Sequence, residues 1–236
     1  INEYVRASLA LFPHAKQVAF ASGAFEADLV HATMLRQALE LAKGSRQIMD
    51  LSGLNLEELE HKSSRLSRNT PIFFSTLFVD QTGRSYIPRR VLEGLVSSTS
   101  APIFGAYESY FGRGIVGGPM VAMQQHGRMA AQLALAVLQG RTPAQLGFTS
   151  SREAEIAVYD WRQLHRFQIR ESLLAPGVPV EFRQATLWDQ YKYVFISLAV
   201  LMILQSALIL GLIFNLLWRK RGEQRLREQQ LELENL

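Results

Sequence analysis

PIFFSTLFV (residues 71–79) is the most apolar strand candidate in this chain and suits the middle of a parallel sheet, where both faces are buried. Three other mainly apolar segments also predict strands, at residues 16–22, 47–51 and 101–106. Amphipathic segments predict helices between these strands and after the last one, at residues 25–43, at 55–66, from Pro88 onward, and at 119–139. This alternation predicts an α/β fold built on a doubly wound parallel sheet.

Local signals add detail to three of the predicted helices. Asn55 predicts an N-cap, and Glu58 stands at the reciprocal position of a capping box. The helix at 119–139 carries small residues that predict close packing on the sheet: Gly127, Ala130, Ala131 and Ala134. The helix at 25–43 has an apolar face that predicts its buried side: Phe25, Leu29, Ala32, Leu35, Leu39 and Ala42.

Composition excludes several classes of site. The 236 residues contain no cysteine, which rules out disulfides, thiolate metal ligands and cysteine nucleophiles. The net charge is +4, and the basic residues are scattered except at Arg219-Lys220-Arg221, whereas a nucleic-acid surface needs a clustered basic stripe. The sequence starts at Ile1, and we expect it to begin partway through a larger protein.

A transmembrane helix is predicted to begin at Tyr193 and end at Leu217, a stretch without a charged residue. Aromatic residues suited to headgroup depth flank it, at Trp188 and Tyr191 before and at Trp218 after. A basic cluster follows directly, so the positive-inside rule predicts residues 1–192 outside the cytoplasm and residues 218–236 inside it. The alternative is a buried core helix, which usually carries a polar stripe or ends sooner.

The last residues favour a helix that leaves the membrane. Leu226, Leu233 and Leu236 fall on a heptad seam, as in a coiled coil. A solvated helix without a partner is the other interpretation, and two heptads leave both open.

Sheets of the predicted kind bind ligands beyond the carboxyl ends of their strands. Aromatic side chains there would stack on a small aromatic or amphiphilic ligand, although packing in the core or against another lobe is an equal alternative. Acids in such loops are more often solvated. Ligand contacts are therefore expected from the residues that follow the first, third and fourth strands: Ser22, Gly23 and Phe25; Phe78 and Asp80; and Tyr107, Glu108 and Tyr110.

GRGIVG (residues 112–117) fits the dinucleotide-binding pattern G-x-G-x-x-G, but five residues separate it from its strand and no acidic partner strand follows. A glycine turn at the rim of a cleft is the favoured interpretation. Arg113 in this turn contacts an anionic ligand or, more commonly for arginine, faces solvent. No histidine pair has the spacing of a zinc site, and no catalytic constellation is found, so neither a metal nor a cofactor is predicted for this chain.

The stretch APIFGAYESYFGRGIVGGPMVAMQQHGRMAAQLALAVLQGRTPAQLGF (residues 101–148) resembles the ABC-transporter substrate-binding-protein family with a type I periplasmic-binding fold. AVYDWRQLHRFQIRESLLAPG (residues 157–177) resembles that family's closing strand and helix. The first stretch carries the family's pattern at Pro102, Gly117, Gly127, Ala130, Ala131, Leu138, Gly140 and Pro143. The continuation into a membrane helix departs from soluble binding proteins and resembles bacterial sensor histidine kinases that carry this domain as their sensor.

The resemblance implies a periplasmic sensor domain with one lobe largely missing at residues 1–186, a linker at 187–192, a membrane helix at 193–217 and a cytoplasmic signalling helix from 218. It also implies an inner-membrane homodimer, a small-molecule ligand, and a response regulator as partner of the full-length protein. Kinase domains with ATP and Mg²⁺ would lie beyond residue 236. Two alternatives remain: a membrane-tethered solute receptor of an ABC transporter, and the sensor of another output enzyme such as a diguanylate cyclase.

Overall fold

The computed structural model describes residues 1–147, 154–184 and 187–234. The chain forms two compact units, Ile1–Arg183 and Gln184–Leu236. The first unit is an α/β domain, and the second consists mainly of one long helix.

From β1 (Gln17–Ala21) to β4 (Ile103–Gly105) the strands and helices of the first unit alternate as the sequence predicts. Among the described residues, short 3₁₀ helices lie in the later loops at Glu108–Tyr110 and Glu171–Leu173. In chain order the elements are α1 (Asn2–Ala10), β1 (Gln17–Ala21), α2 (Glu26–Ala42), β2 (Gln47–Asp50), α3 (Leu56–Ser64), β3 (Ile72–Phe74), α4 (Pro88–Ser98), β4 (Ile103–Gly105), β5 (Gly117–Val121), α5 (Met123–Leu138), α6 (Pro143–Leu146), β6 (Glu155–Asp160), α7 (Trp161–Arg166) and β7 (Val180–Glu181).

The first four strands form one parallel sheet in the order β2-β1-β3-β4, which confirms the predicted α/β class. Phe73 on β3 stands opposite Phe20 on β1 and Phe104 on β4. Only Ile72–Phe74 of the predicted strand at 71–79 belongs to the sheet. The following residues leave the ladder because they form the loop at its carboxyl edge.

Helices cover both faces of this sheet. Phe20, Phe73 and Phe104 point to one face and join a core with α1 and α2. Ile72, Phe74 and Ile103 point to the other face and join a core with α3 and α4. The alternation along each strand therefore divides the apolar residues between two cores, as a doubly wound sheet requires.

Two local predictions need correction. Ala32, Leu35 and Leu39 on α2 are buried as expected, but Phe25 and Leu29 are each 51% exposed, and Asp28 is buried instead. The start of α2 passes the edge of the sheet, where the apolar core ends. Asn55 does cap α3, with its side chain accepting from the Glu58 amide at 2.9 Å, but the Glu58 carboxylate accepts from Gln81 rather than closing the capping box.

The helix predicted at 119–139 begins four residues later, because residues 117–121 form β5. Pro119 suits the first turn of a helix, yet here it pairs with Ala157 of β6 in an antiparallel ladder. The small residues of α5 do not pack on the sheet, since α5 has no buried residue and a Cβ at Gly127 would meet no atom within 4 Å. That prediction is wrong.

The glycines at residues 112–117 lie in the turn that leads into β5. This agrees with the interpretation of this segment as a glycine turn. A Cβ at Gly117 would lie 2.2 Å from the Val158 carbonyl oxygen, so only glycine allows β5 to approach β6 this closely. A dinucleotide site would need a helix at this third glycine, and a strand begins there instead.

The second unit contains α8 (Leu187–Glu234), a single helix of 48 residues. Its 31-residue segment Gln190–Lys220 is long and apolar enough to cross a membrane, and none of its most apolar window is buried. Leu226 and Leu233 lie on this helix, whereas Leu236 lies outside the described residues.

Candidate ligand cavity

A cavity of about 490 Å³ opens at the carboxyl ends of β3 and β4. Apolar and aromatic side chains form most of its wall, which suits an organic ligand. The residues that line it come from α2, from the segments after β3 and β4, and from the starts of α4 and α5: His31, Thr76, Phe78, Ile87, Pro88, Arg89, Tyr107, Ser109, Tyr110 and Met123.

A buried carboxylate holds the loop after β3 in place. Asp28, on the first turn of α2, is fully buried and accepts hydrogen bonds from the Thr76 hydroxyl and, at 3.0 Å, from the Phe78 amide. Ser22 adds to the same junction by donating to the Asp28 and Thr76 carbonyls. A Cβ at Gly23 would lie 2.2 Å from the Asp28 carboxylate, so the turn after β1 requires glycine.

Tyr110 lines the cavity and connects the segment after β4 with the segment after β3. Its hydroxyl donates to the Ser75 carbonyl at 2.9 Å, and its ring meets Tyr107 edge-to-face at 5.7 Å. A Cβ at Gly105 would come within 2.8 Å of the Tyr110 ring, so β4 ends on a glycine that gives the ring room. The two tyrosines thereby form a fixed aromatic wall.

Three of the nine predicted ligand residues meet in this cavity: Phe78, Tyr107 and Tyr110. Phe78 is 44% exposed and presents its ring to the opening. Ser22 and Gly23 do not line the cavity. They lie against Asp28, which holds the loop after β3 in place. Phe25 and Glu108 lie outside the wall.

The two remaining predicted residues bind within the protein. The Asp80 carboxylate accepts from the Thr82 hydroxyl and amide, the Arg84 amide and the Tyr86 hydroxyl. The Thr82 hydroxyl bond above all lowers the pKa of Asp80, and the other three bonds act in the same direction. Arg113 pairs with Glu93 at 2.6 Å. Both charges are thus engaged away from the cavity.

The wall residues that sequence reasoning missed include His31, Ile87, Arg89 and Met123. A helix that follows a parallel strand runs back against it, so its first turns lie at the carboxyl edge of the sheet. Pro88 at the first position of α4 was the available signal, because it places Ile87 and Arg89 at that edge. His31, on the second turn of α2, follows from the same rule.

The cavity is mostly uncharged. Arg89 is the one wall residue with a permanent charge, and within the described ranges it has no acidic partner. Burial raises the pKa of both Tyr107 and Tyr110, so their hydroxyls remain protonated near neutral pH.

Among the described residues no group of three or more His, Asp or Glu side chains could hold a metal ion. The arrangement suits binding of an apolar body with an acidic group toward Arg89.

No family model and no curated protein matches this chain. Several solved structures are similar to this chain, and the match covers 60% of the length of each of the three named here. They include a conserved domain protein from Vibrio cholerae (20% identity, 76% of this chain, TM-score 0.56). A substrate-binding protein with adhesive properties from Clostridium difficile, in its ligand-free open form, matches at 11% identity over 78% of this chain with TM-score 0.56. An ABC domain from Streptococcus pneumoniae in complex with L-Trp matches at 18% identity over 76% with TM-score 0.52.

The fold of this chain is similar to the folds of these three proteins. At these identities the likeness concerns the fold alone, and the chain spans about three fifths of the length of these proteins. The parallel sheet and its resemblance to periplasmic-binding folds are therefore confirmed.

Replacing Asp28 by Ala should destabilise the domain, because it leaves the Thr76 hydroxyl and the Phe78 amide without an acceptor in a buried site. Each unpaired donor costs about 1–3 kcal/mol, so the free energy of unfolding should fall by at least about 2 kcal/mol. Asp50→Ala is the matched control, because Asp50 pairs with Arg36 at the surface and should matter by about 1 kcal/mol at most. Equal effects of the two variants in urea unfolding would contradict the role given to Asp28.

Proposed function

We propose that this chain is the ligand-sensing and membrane-signalling part of a bacterial sensor protein, most specifically a sensor histidine kinase. The observation that carries the binding half is the cavity of about 490 Å³ at the carboxyl edge of the sheet, walled by Phe78, Tyr107 and Tyr110. Parallel α/β sheets bind ligands at this edge. The proposed ligand is a small organic molecule, as in the neighbour from Streptococcus pneumoniae that holds L-Trp.

The wall favours a ligand with an aromatic or apolar body and an anionic group. Aromatic rings on Phe78 and Tyr107 offer faces and edges for stacking. Arg89, without an acidic partner among the described residues, offers the one fixed positive charge. An amino acid or small carboxylic acid with an apolar side chain combines both features.

A second lobe is part of this proposal. The chain spans 60% of the length of its structural neighbours, and α5 has apolar residues with no cover from the described domain. Leu135 and Leu138 are 56% and 84% exposed, although apolar residues of a stable helix are normally buried. We infer that a lobe outside this chain covers α5 and closes the ligand cleft from the other side.

The membrane topology is proposed from α8. Its Gln190–Lys220 segment has the length and composition of a span, and Arg219 and Lys220 at its end favour a cytoplasmic location by the positive-inside rule. In this proposal, residues 1–192 lie in the periplasm and residues 218–236 lie in the cytoplasm, on either side of a bacterial inner membrane.

Signalling is proposed because α8 does not stop at the membrane border. One uninterrupted helix runs from Leu187 to Glu234, so a displacement at its outer end can reach the cytoplasm. Ligand binding shifts such a receptor only if its two states differ in ligand affinity. A tethered solute receptor of a transporter needs an anchor but no continuing helix. The domain that follows residue 236 would distinguish a kinase from another output enzyme such as a diguanylate cyclase.

Binding is tested by a thermal-shift screen of the full-length protein with small aromatic and anionic molecules, beginning with L-tryptophan. A ligand at 100 times its dissociation constant should add about 2.7 kcal/mol to the free energy of unfolding. Phe78→Ala should weaken each active compound about tenfold or more, since a stacking surface is lost. Phe25→Ala is the control, because Phe25 is similarly exposed but lies outside the wall. Equal affinities in the two variants would argue against this cavity.

Signalling is tested by cysteine crosslinking, for which residues 1–236 contribute no native cysteine. Leu226→Cys and Leu233→Cys should each form disulfide-linked dimers in membranes, and an active ligand should change their rates. Leu231→Cys is the control. Leu231 follows Leu226 by five residues, which rotates it about 140° around the helix and away from the seam. Crosslinking at Leu231 equal to that at the seam, or rates that no ligand changes, would overturn the dimeric signalling helix.

A further inference from the structure

A second, smaller pocket of about 170 Å³ lies beside the ligand cavity, on the α1 and α2 side of the same sheet edge. His31 and Tyr107 line both spaces and separate them. Apolar side chains such as Met34, Leu35 and Val121 form most of the inner wall, and no Lys, Arg, Asp or Glu side chain takes part. Its volume is close to the roughly 150 Å³ of an apolar protein cavity that binds benzene. A single ring therefore fits.

The Tyr4 side chain lines this inner pocket and carries a buried hydrogen-bond donor. The Tyr4 side chain is only 5% exposed, and its hydroxyl has no hydrogen-bond partner within the part of the chain that the structure describes. Its ring is fixed edge-to-face against Phe73 at 5.4 Å. Burial raises the pKa of Tyr4 well above its usual value, so the hydroxyl keeps its proton. A buried donor left in this state costs about 1–3 kcal/mol.

His31 supplies a second donor. Its Nε2 lies 3.4 Å from the Tyr107 hydroxyl, which stays protonated because burial raises the pKa of Tyr107. When this hydroxyl donates to Nε2, the proton of a neutral imidazole resides on Nδ1. Nδ1 of His31 is buried and also without a partner among the described residues. In this tautomer the pocket has an apolar lining and two unused donors, the Tyr4 hydroxyl and His31 Nδ1.

We propose that this inner pocket is a subsite for an apolar group that carries an uncharged oxygen acceptor, such as a ketone, ester or amide carbonyl. The Tyr4 hydroxyl and His31 Nδ1 donate to the oxygen, and the apolar wall packs around the rest of the group. A carboxylate is disfavoured because no cationic side chain lines the pocket, and a buried charge needs one. The inference rests on the proposed function, because the subsite opens beside the cavity proposed for the ligand.

Two probes of the same shape separate hydrogen bonding from packing. Acetophenone has a ring and a carbonyl, and α-methylstyrene replaces the carbonyl oxygen by a methylene group. Methionine methyl groups report where each probe binds: Met34 lines the inner pocket and Met123 lines the outer cavity. Met202 on α8 reports any probe in the lipid. The experiment is a ¹³C-methyl NMR titration of the full chain in lipid nanodiscs, with dissociation constants taken at Met34.

Acetophenone should shift the Met34 methyl signal and bind about five- to tenfold more weakly to Tyr4→Phe than to the wild type, the range for one lost hydrogen bond. α-Methylstyrene should bind both proteins equally. Tyr159→Phe is the control, because Tyr159 is 4% exposed, belongs to the same core and lines neither space, and it should change neither affinity. Without probe, Tyr4→Phe should unfold at the same or a higher temperature than the wild type.

Four results would overturn the subsite. The first is that acetophenone binds the wild type and Tyr4→Phe with equal affinity, and the second is that Tyr4→Phe weakens the binding of α-methylstyrene as much as that of acetophenone. The third is that Tyr4→Phe unfolds at a lower temperature than the wild type without probe. The fourth is that the probes shift the Met123 signal but not the Met34 signal. The last result leaves the proposed ligand cavity intact. If neither Met34 nor Met123 responds up to the solubility of the probes, the subsite and the proposed cavity both fail.

Discussion

The buried Asp28 carboxylate makes the hydrogen bonds on which the carboxyl edge of the parallel sheet depends. It stands at the start of α2 and accepts from the Thr76 hydroxyl and the Phe78 amide, which lie some 50 residues away in sequence. A buried carboxylate is stable only when its oxygens are hydrogen-bonded. The loop after β3 must therefore stay against α2, and Phe78 is held with its ring toward the opening.

The remaining features of the site follow from parallel pairing. Because β1, β3 and β4 run in one direction, their following loops and the first turns of α2 and α4 meet at one edge. That edge gathers aromatic rings from two loops, a histidine from α2 and an arginine from α4 in a space with little charge. The Tyr110 hydroxyl bond to Ser75 ties the two loops together. Preformed walls of this kind suit ligand binding, since little ordering is needed when the ligand arrives.

Features encoded by local patterns could be predicted from the sequence. The strand and helix order, the Asn55 cap and the apolar segment after Tyr193 each depend on neighbouring residues, and the structure has the order, the cap and a long apolar helix there. β5 could not be predicted, because Pro119 fits a helix start equally well and its partner Ala157 lies 38 residues later. The exposure of α5 could not be predicted either, because its apolar pattern resembles that of a helix packed on a sheet.

The candidate site shows the same division. Phe78, Tyr107 and Tyr110 were found because position after a strand is a property of sequence. Asp80 and Arg113 satisfied that rule too, but hydrogen bonds within a turn and an ion pair with Glu93 engage them elsewhere. The sequence does not reveal the role of Asp28, because its partners come from a distant segment. Sequence position thus located the edge of the sheet, and packing decided which side chains line the cavity.

The central claim is that a small molecule binds at the carboxyl edge of the parallel sheet. A crystal structure of the full-length protein with a compound found by screening tests this most directly. The ligand should lie against the Phe78 and Tyr107 rings, at contact distances of about 4 Å. A ligand bound at the opposite edge of the sheet, beside His14 and Gln47, with the Phe78 cavity empty, would contradict the account.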